Sequence, residues 1–394
     1  MNTGRTSPSE STTFRPDGQW PRSLYLHVPF CRHRCGYCNF TLVAGRDYLI
    51  ERYLDALETE LGWLNRTYEL DTLFFGGGTP SHLSSPHLDR LNSIVRSRFS
   101  LGQNAEITAE CNPNDLDLEK GESLARLGVN RISLGVQSLN PSKLKRLERD
   151  HTQSDIQNAV EVARSFCQSV SIDLMFAAPE ETLSQWQEDL QQALALEPDH
   201  ISTYELTYEK GTKFWNRKSH GMLTEADEEL RAEMYLHTIK QLDESERQQY
   251  EVSSFAKAGH RCRHNLAYWT GEPYFAFGPG ASRFVNGIRE TNHQSTMQYL
   301  KLVESAQSPV AEFEQLDAIS SARERLAIGL RMIDGVNEAD FIRRTGHSVE
   351  SILGELLSQL LENNLIVCND PTWKLTSKGI LICDWISGEI IGTP

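Results

Sequence analysis

Cys31-Arg-His-Arg-Cys35-Gly-Tyr-Cys38 closes an apolar run that begins at Leu24, and this spacing carries more chemistry than any other segment of the chain. Thiolates separated by three and then two residues can wrap one loop around the corner of a 4Fe-4S cube, each ligating one iron and leaving the fourth without a protein ligand. An open iron is a place for chemistry. The competing reading is a structural zinc ion held by the same thiolates with His27 or His33. Structural zinc usually takes paired knuckles, however, and no second knuckle follows. Cys111, Cys167, Cys262, Cys368 and Cys383 stand singly at irregular spacings, which predicts buried apolar side chains in a reducing compartment.

Other polar residues fall at the ends of apolar runs. Gly76-Gly-Gly-Thr-Pro-Ser81 follows one such run, and three glycines let a backbone approach a ligand closely and offer it amide groups. The segment lacks the Lys-Ser/Thr ending of a phosphate-binding P-loop. Glu110, Gln137 and Asp173 lie at or near the ends of three further runs. A carboxylate inside an apolar strand is costly to bury without a partner, so these residues imply either salt bridges within the fold or a polar ligand. Arg149 could offer its fork to a carboxylate, or it could be a surface helix residue.

The elements that must position these groups alternate regularly. Leu24–Phe30, Thr72–Phe75, Glu106–Glu110, Arg131–Val136, Ser169–Phe176 and His200–Leu206 read as six strands. Amphipathic helices are predicted between them over Tyr48–Trp63, Pro86–Phe99, Leu118–Leu127, Asp155–Cys167 and Leu183–Leu196. Strand-helix alternation implies a parallel sheet covered by helices, and six units make a partial (βα)6 TIM-like barrel of the α/β class with its site at the carboxyl ends of the strands. Beyond residue 310 three helices (Ser320–Ile333, Glu338–Thr345, Ser348–Asn363) and a hairpin (Leu365–Cys368, Trp373–Thr376) suggest a small winged-helix-like module. The domains expected are thus a disordered tail over 1–20, the barrel with its extension over 21–309, and the module over 310–394.

Composition narrows the function classes. The 394 residues carry a formal net charge of -15 with a pI near 5.3, which argues against a nucleic-acid surface even for a winged-helix shape. No apolar stretch approaches the roughly 18 residues of a membrane span. With 39% hydrophobic residues the chain has enough for a core without staples, and a cytoplasmic location is expected.

The CxxxCxxC segment resembles the radical S-adenosylmethionine superfamily. In that superfamily the open iron is chelated by the amino and carboxylate groups of S-adenosylmethionine, and the reduced cluster cleaves its sulfonium to give methionine and a 5'-deoxyadenosyl radical. Within it, HVPFCRHRCGYCNF, FFGGGTPS, ITAECNP, NRISLGVQS, LKRLERDH, IDLMFAAP and CRHNLAYW together are similar to the oxygen-independent coproporphyrinogen III oxidase-like family over nearly the whole chain. This resemblance implies that Tyr25, Gly77, Gly78, Thr79, Glu110, Gln137, Arg149 and Asp173 contact S-adenosylmethionine, with Tyr37 near its adenine.

Two departures bear on the subfamily. Phe40 stands where the oxidases have a fourth cysteine, and the first strand begins only about twenty residues in. Both favour the HemW-type haem chaperones, which implies a haem carrier serving an acceptor apoprotein. The alternatives are oxidative decarboxylation of coproporphyrinogen III and a methyltransferase-like or other radical enzyme. The subfamily links His264-Asn-Leu-Ala-Tyr-Trp269 and the turn Gly278-Pro-Gly-Ala281 to haem. His264 would then be an axial-ligand candidate, and Tyr268 and Trp269 would offer flat faces to the macrocycle. The alternative is a core histidine among core aromatics. Many relatives follow that turn with a histidine, but here Ser282 and Arg283 follow; Arg283 or Arg261 could pair with a propionate. Whether the chain acts alone or as a homodimer stays open.

Overall fold

The computed structural model describes residues 20–392, so of the tail expected over 1–20 only Trp20 is described. All six apolar runs form strands: β1 (Ser23–Val28), β2 (Tyr68–Gly77), β3 (Phe99–Cys111), β4 (Arg131–Gln137), β5 (Ser169–Phe176) and β6 (His200–Glu205). They pair in that order and all in parallel, with Leu24 beside Leu73, Leu73 beside Ile107, Ala109 beside Ile132, Ile132 beside Val170 and Ile172 beside Ile201.

Side chains alternate across a strand, so these paired apolar residues form one face of the sheet. Helices cover it. Tyr53, Leu54, Leu57 and Leu61 of Ile50–Gly62, Leu88 and Leu91 of Ser85–Arg96, Leu124 of Leu118–Arg126, Ile156, Val160 and Ala163 of Gln153–Phe166, and Trp186, Leu190 and Ala193 of Leu183–Ala195 are all buried at helical spacing. The opposite face carries Tyr25, Thr72, Thr108, Glu110, Ser133, Ser171, Asp173 and Ser202. Parallel strands are ordinarily apolar on both faces. A polar inner face is therefore a departure that calls for a ligand.

The sequence reading left out a seventh parallel strand. β7 (Tyr274–Phe277) pairs with β1 on the side away from β2, with Phe275 beside Leu24, and the sheet continues antiparallel through Ser282–Val285 and Ile288–Asn292, with Val310–Gln315 next in order. Four residues between Pro273 and Gly278, with no helical crossover after them, give no βα signature. The strand is instead held from behind. Glu60 of Ile50–Gly62 is buried and accepts hydrogen bonds from the Gly278 amide (3.1 Å), the Asn292 amide nitrogen (2.7 Å) and the Tyr299 hydroxyl (2.7 Å).

The chain divides into two compact units, the first running to Gln241 and including Pro273–Glu314, the second comprising Leu242–Glu272 and Gln315 onward. Residues 242–272, with the helix Arg263–Trp269, thus group with the carboxyl-terminal module rather than with the barrel. That module has its own core of Leu326, Phe341, Leu353, Leu360, Ile366, Trp373, Ile386 and neighbours. Its helices Ala318–Gly329 and Glu338–Thr345 form as expected. The third is split at Gly354 (φ 52°) into Val349–Leu353 and Glu355–Glu362. The hairpin Ile366–Asn369 with Thr372–Leu375 gains a third strand, Val336–Asn337, and the helices Ser377–Ile380 and Cys383–Gly392 follow it, unforeseen.

Of the five single cysteines, Cys111, Cys262 and Cys383 are buried and Cys167 is half-buried, but Cys368 is exposed near the tip of the hairpin, two residues beyond the buried Ile366 on the same face of its strand. Among the described residues no helix is long and apolar enough to cross a membrane.

Candidate functional site

The cluster loop leaves β1 and folds back on itself. Phe30–Cys31 pairs with Val43–Ala44, and the Cys38 amide donates to the Cys35 carbonyl. This turn brings the three thiols close enough for the charge of two to act on Cys31. Burial, then charge from its two fellow cysteines, lifts Cys31 to about 11, and burial likewise lifts Cys38. Three neighbours reach two of the sulfurs. The Thr79 hydroxyl lies 3.3 Å from Cys31 Sγ, Arg149 Nη1 donates to Cys35 Sγ at 3.6 Å, and His33 Nε2 is also 3.6 Å from it.

The zinc reading lacks a fourth ligand. His27 Nε2 shares a short hydrogen bond with the Thr41 carbonyl (2.6 Å) and its Nδ1 lies 3.3 Å from the Tyr25 hydroxyl, while His33 Nε2 is held by the Glu148 carbonyl (2.7 Å). Among the described residues, no three His, Cys, Asp or Glu side chains converge on a single ion. Three thiols spread around one loop suit a cube instead.

The glycine loop after β2 works differently from the expectation. Its amide groups are already used: Gly77 N donates to Glu110 Oε2 (3.0 Å), Gly78 N to the Val28 carbonyl and Thr79 N to the Phe30 carbonyl (2.8 Å each). Glycine is required here by proximity. A Cβ on Gly78 would lie 2.7 Å from the Phe30 carbonyl oxygen, and Gly77, at φ 105°, would drive one into the His27 ring. With these three amides spent, the loop meets a ligand through its carbonyl oxygens and the Thr79 hydroxyl.

Behind the loop, Asn112 joins the pieces. Its Nδ2 donates to Thr79 Oγ1 (3.1 Å), and its Oδ1 accepts from Arg149 Nη2 (2.6 Å), which also donates to the Gly135 carbonyl (2.7 Å). Arg149 is thus no surface residue; its buried Nε has no protein partner. Gln137 ends β4 in a left-handed conformation (φ 65°) that turns the chain out of the sheet. Asp173 accepts from the Ser133 hydroxyl at 2.9 and 3.0 Å. Burial, and then the charge of Asp173, pushes Glu110 from 4.5 to about 7; burial also raises Asp173. Two reluctant carboxylates on the inner face suit a cationic ligand. Tyr37 packs edge-on against Phe214 (6.1 Å between centroids), and Tyr25 stacks on Phe74.

Eleven of the expected residues therefore gather at the carboxyl ends of β1 to β5: Tyr25, Cys31, Cys35, Tyr37, Cys38, Gly77, Gly78, Thr79, Glu110, Arg149 and Asp173, with Gln137 at the end of β4 beside them. His264, Tyr268 and Trp269 belong to the second unit. His264 is fully buried, burial lowers its pKa to about 3, and its Nε2 shares a 2.7 Å hydrogen bond with the Tyr268 hydroxyl. Iron at that nitrogen would have to displace Tyr268. Arg261 is paired with Asp334 (2.7 Å) and Arg283 with Glu290 (2.8 Å), so neither stands ready for a propionate.

Comparison with known proteins bears on this geometry directly. Residues 25–193 match the radical SAM superfamily and residues 316–382 the HemN C-terminal domain. The heme chaperone HemW of Bacillus subtilis is 34% identical, the alignment covering 94% of this chain and 99% of that protein. The chain belongs to the HemW family. HemW of Escherichia coli is 33% identical over 92% of this chain and 96% of its own. The radical S-adenosyl methionine domain-containing protein 1, mitochondrial, of Danio rerio is 32% identical over 94% and 86%. The structure of coproporphyrinogen III oxidase (HemN) from Escherichia coli superposes with a TM-score of 0.84 at 22% identity, covering 95% of this chain and 91% of that one, which fixes the fold. Membership of the radical SAM superfamily implies a 4Fe-4S cluster and S-adenosylmethionine, and the site just described fits both.

Sequence reasoning missed Asn112 and Ser133, and weighed His33 only as a zinc ligand. Asn112 was legible as the residue after the strand-end Glu110-Cys111. His33 lies between two cluster cysteines, yet nothing in its spacing says that it reaches Glu148.

Proposed function

We propose that this HemW-family chain is a cytoplasmic haem chaperone that binds haem and passes it to an acceptor apoprotein, while keeping the cluster and cofactor site of a radical enzyme. Full-length similarity to heme chaperones at 34% identity carries this reading. Phe40, 66% exposed where the oxidase pattern has its fourth cysteine, supports it.

In this site Cys31, Cys35 and Cys38 hold the cluster as thiolates. A reduced 4Fe-4S cluster with an open iron supplies one electron to a sulfonium held against it. The chain's own residues do the holding. Carbonyl oxygens of the Gly76–Gly78 turn and the Glu110 carboxylate would accept from the ammonium of S-adenosylmethionine. Arg149, with its unpartnered Nε, would donate to the carboxylate. Asp173 and Gln137 take polar groups further along. Tyr25 and Phe74 exclude water from the inner face. The haem contacts are assigned to the segment from His264 to Trp269 as a whole, which must open before His264 Nε2 is available.

The test incubates reduced, cluster-loaded protein with S-adenosylmethionine and coproporphyrinogen III and follows tetrapyrrole products by mass, alongside haem titration of the same preparation. Haem binding without protoporphyrinogen is expected. Multiple turnovers to the decarboxylated product would replace the chaperone with the oxidase.

A further inference from the structure

Lys143 is among the most deeply buried charged side chains of the first unit, and nothing so far uses it. It lies on the short helix Pro141–Arg146, between the two cofactor-site residues Gln137 and Arg149, with its own side chain 1% exposed. Its ammonium is ion-paired to Glu181 and, at 3.0 Å, to Asp189, both 0% exposed, and it lies 4.9 Å from the centre of the Trp186 ring. Surface charge pairing has no use for such a place. Three charges removed from water are retained only where good geometry and further hydrogen bonds compensate their desolvation.

Those further bonds all run to the strand ends. Asp189 accepts from the Ser138 hydroxyl (2.6 Å), the Leu139 amide (2.8 Å) and the Asn140 amide (3.0 Å), which are the three residues directly after Gln137. Glu181 accepts from the Ala178 amide (2.9 Å), in the turn where Ala177 adopts φ 59° straight after β5. One ammonium therefore ties the loop leaving β4 to the loop leaving β5. The same segment then runs on to Arg149, whose amide bonds the Leu144 carbonyl within one turn of Lys143. Gln137 and Arg149 are the two ends of a thirteen-residue excursion pinned in its middle.

We infer that Lys143, with Glu181 and Asp189, is a positioning residue for the S-adenosylmethionine site: it fixes where Gln137 and Arg149 stand, without touching the ligand. This deepens the function proposed above and rests on it. Two predictions separate positioning from mere support of the fold. Loss of the clamp should weaken S-adenosylmethionine while the cluster, whose ligands come from another loop, stays loaded. Among clamp variants, the loss should follow bonds to the loop after Gln137 rather than thermal stability.

The experiment reconstitutes the full chain anaerobically, measures iron and sulfide, and titrates the reduced protein with S-adenosylmethionine, reading the change in the cluster's electron paramagnetic resonance signal. Variants are Lys143→Met, Asp189→Asn and Glu181→Gln. The control is Leu61→Ala, a core truncation at the end of Ile50–Gly62, a helix that supplies no residue to the clamp. At least a tenfold rise in the dissociation constant is expected for Lys143→Met and Asp189→Asn, a smaller one for Glu181→Gln, and parent-like affinity for Leu61→Ala even where its melting temperature falls as far. If Lys143→Met does not fold, the volume-preserving Asp189→Asn carries the test. Parent-like affinity in folded clamp variants, or affinity falling in step with melting temperature across all four including the control, overturns the inference. A parent protein that loads its cluster but shows no spectral response to S-adenosylmethionine refutes the cofactor site itself, a different failure.

Discussion

Cluster thiols must lose their protons before they can hold iron, and burial makes that harder for Cys31 and Cys38 than for a free thiol. Cluster assembly should therefore release protons and proceed further as pH rises from 7 to 9, measured as iron and sulfide per chain. Replacing Cys31, Cys35 or Cys38 with Ser should abolish both, whereas Cys111, Cys262 or Cys383 to Ala should leave them at about four each; zinc retained without sulfide would refute the cluster. Glu110 gives a second handle. Its folded pKa, near 7, lies above its ordinary 4.5, so between these values the folded state binds more protons than the unfolded one and apo stability from this group falls as pH rises. Glu110→Gln should remove that slope, worth about 2 kcal/mol after allowance for the part of the side chain open to water, in urea unfolding of apo protein at pH 5 and 7.5. A variant with the parent's pH slope would show that Glu110 titrates normally. Cys31, Glu110 and Asp173 were visible in the sequence because their types are unusual at strand ends. What Asn112 and Lys143 do was not, since their roles exist only through contacts with residues 33 to 46 positions away.

At the scale of elements, the strand-helix alternation was readable because each helix shows its buried face at every third or fourth position, and each strand is apolar on one side. β7 and the covering helix Lys213–Ser219 were not, being short and held by tertiary contacts. That helix is fastened to the cluster loop: Phe214 N donates to the Gly36 carbonyl (2.9 Å), and Lys213 and Arg217 each lie 3.3 Å from a Glu148 oxygen. A Cβ on Gly36 would lie 2.5 Å from the Phe214 ring. Gly36→Ala should therefore lift the helix, letting oxygen bleach the cluster several-fold faster in air, as followed by loss of its visible absorbance; an unchanged bleaching rate would mean the helix does not protect the loop. Gly77→Ala meets two obstacles, the positive φ and the His27 ring. It should cost about 2 kcal/mol or more in unfolding free energy, which denaturant titration can check.

The whole molecule assembles its second unit from two separated stretches, and this the sequence did not show: patterns of three or four residues carry no record of which distant segments share a core. Residues 261–272 are bound to the module beyond 315 by Arg261 with Asp334, Arg344 with Glu272 (2.6 Å), Arg331 over the Trp269 ring (5.0 Å), and Arg325, whose guanidinium donates to the carbonyls of Thr270 (2.8 Å) and Gly271 (2.9 Å). The last of these matters most for function, because the two carbonyls close the helix Arg263–Trp269 that carries His264 and Tyr268. Helix ends leave carbonyls that must find donors. Arg325→Met removes both donors while keeping most of the side-chain volume. Losing hydrogen bonds of this kind costs about 1–3 kcal/mol, so the amides of Thr270, Gly271 and Glu272, which bond back into that helix, should exchange with deuterium about tenfold faster or more. Iron and sulfide content should not change, since every cluster ligand lies in the first unit. If haem enters by opening this helix, the same variant should take up haem faster than the parent in a stopped-flow Soret trace; faster amide exchange with unchanged haem uptake would place the entry of haem elsewhere.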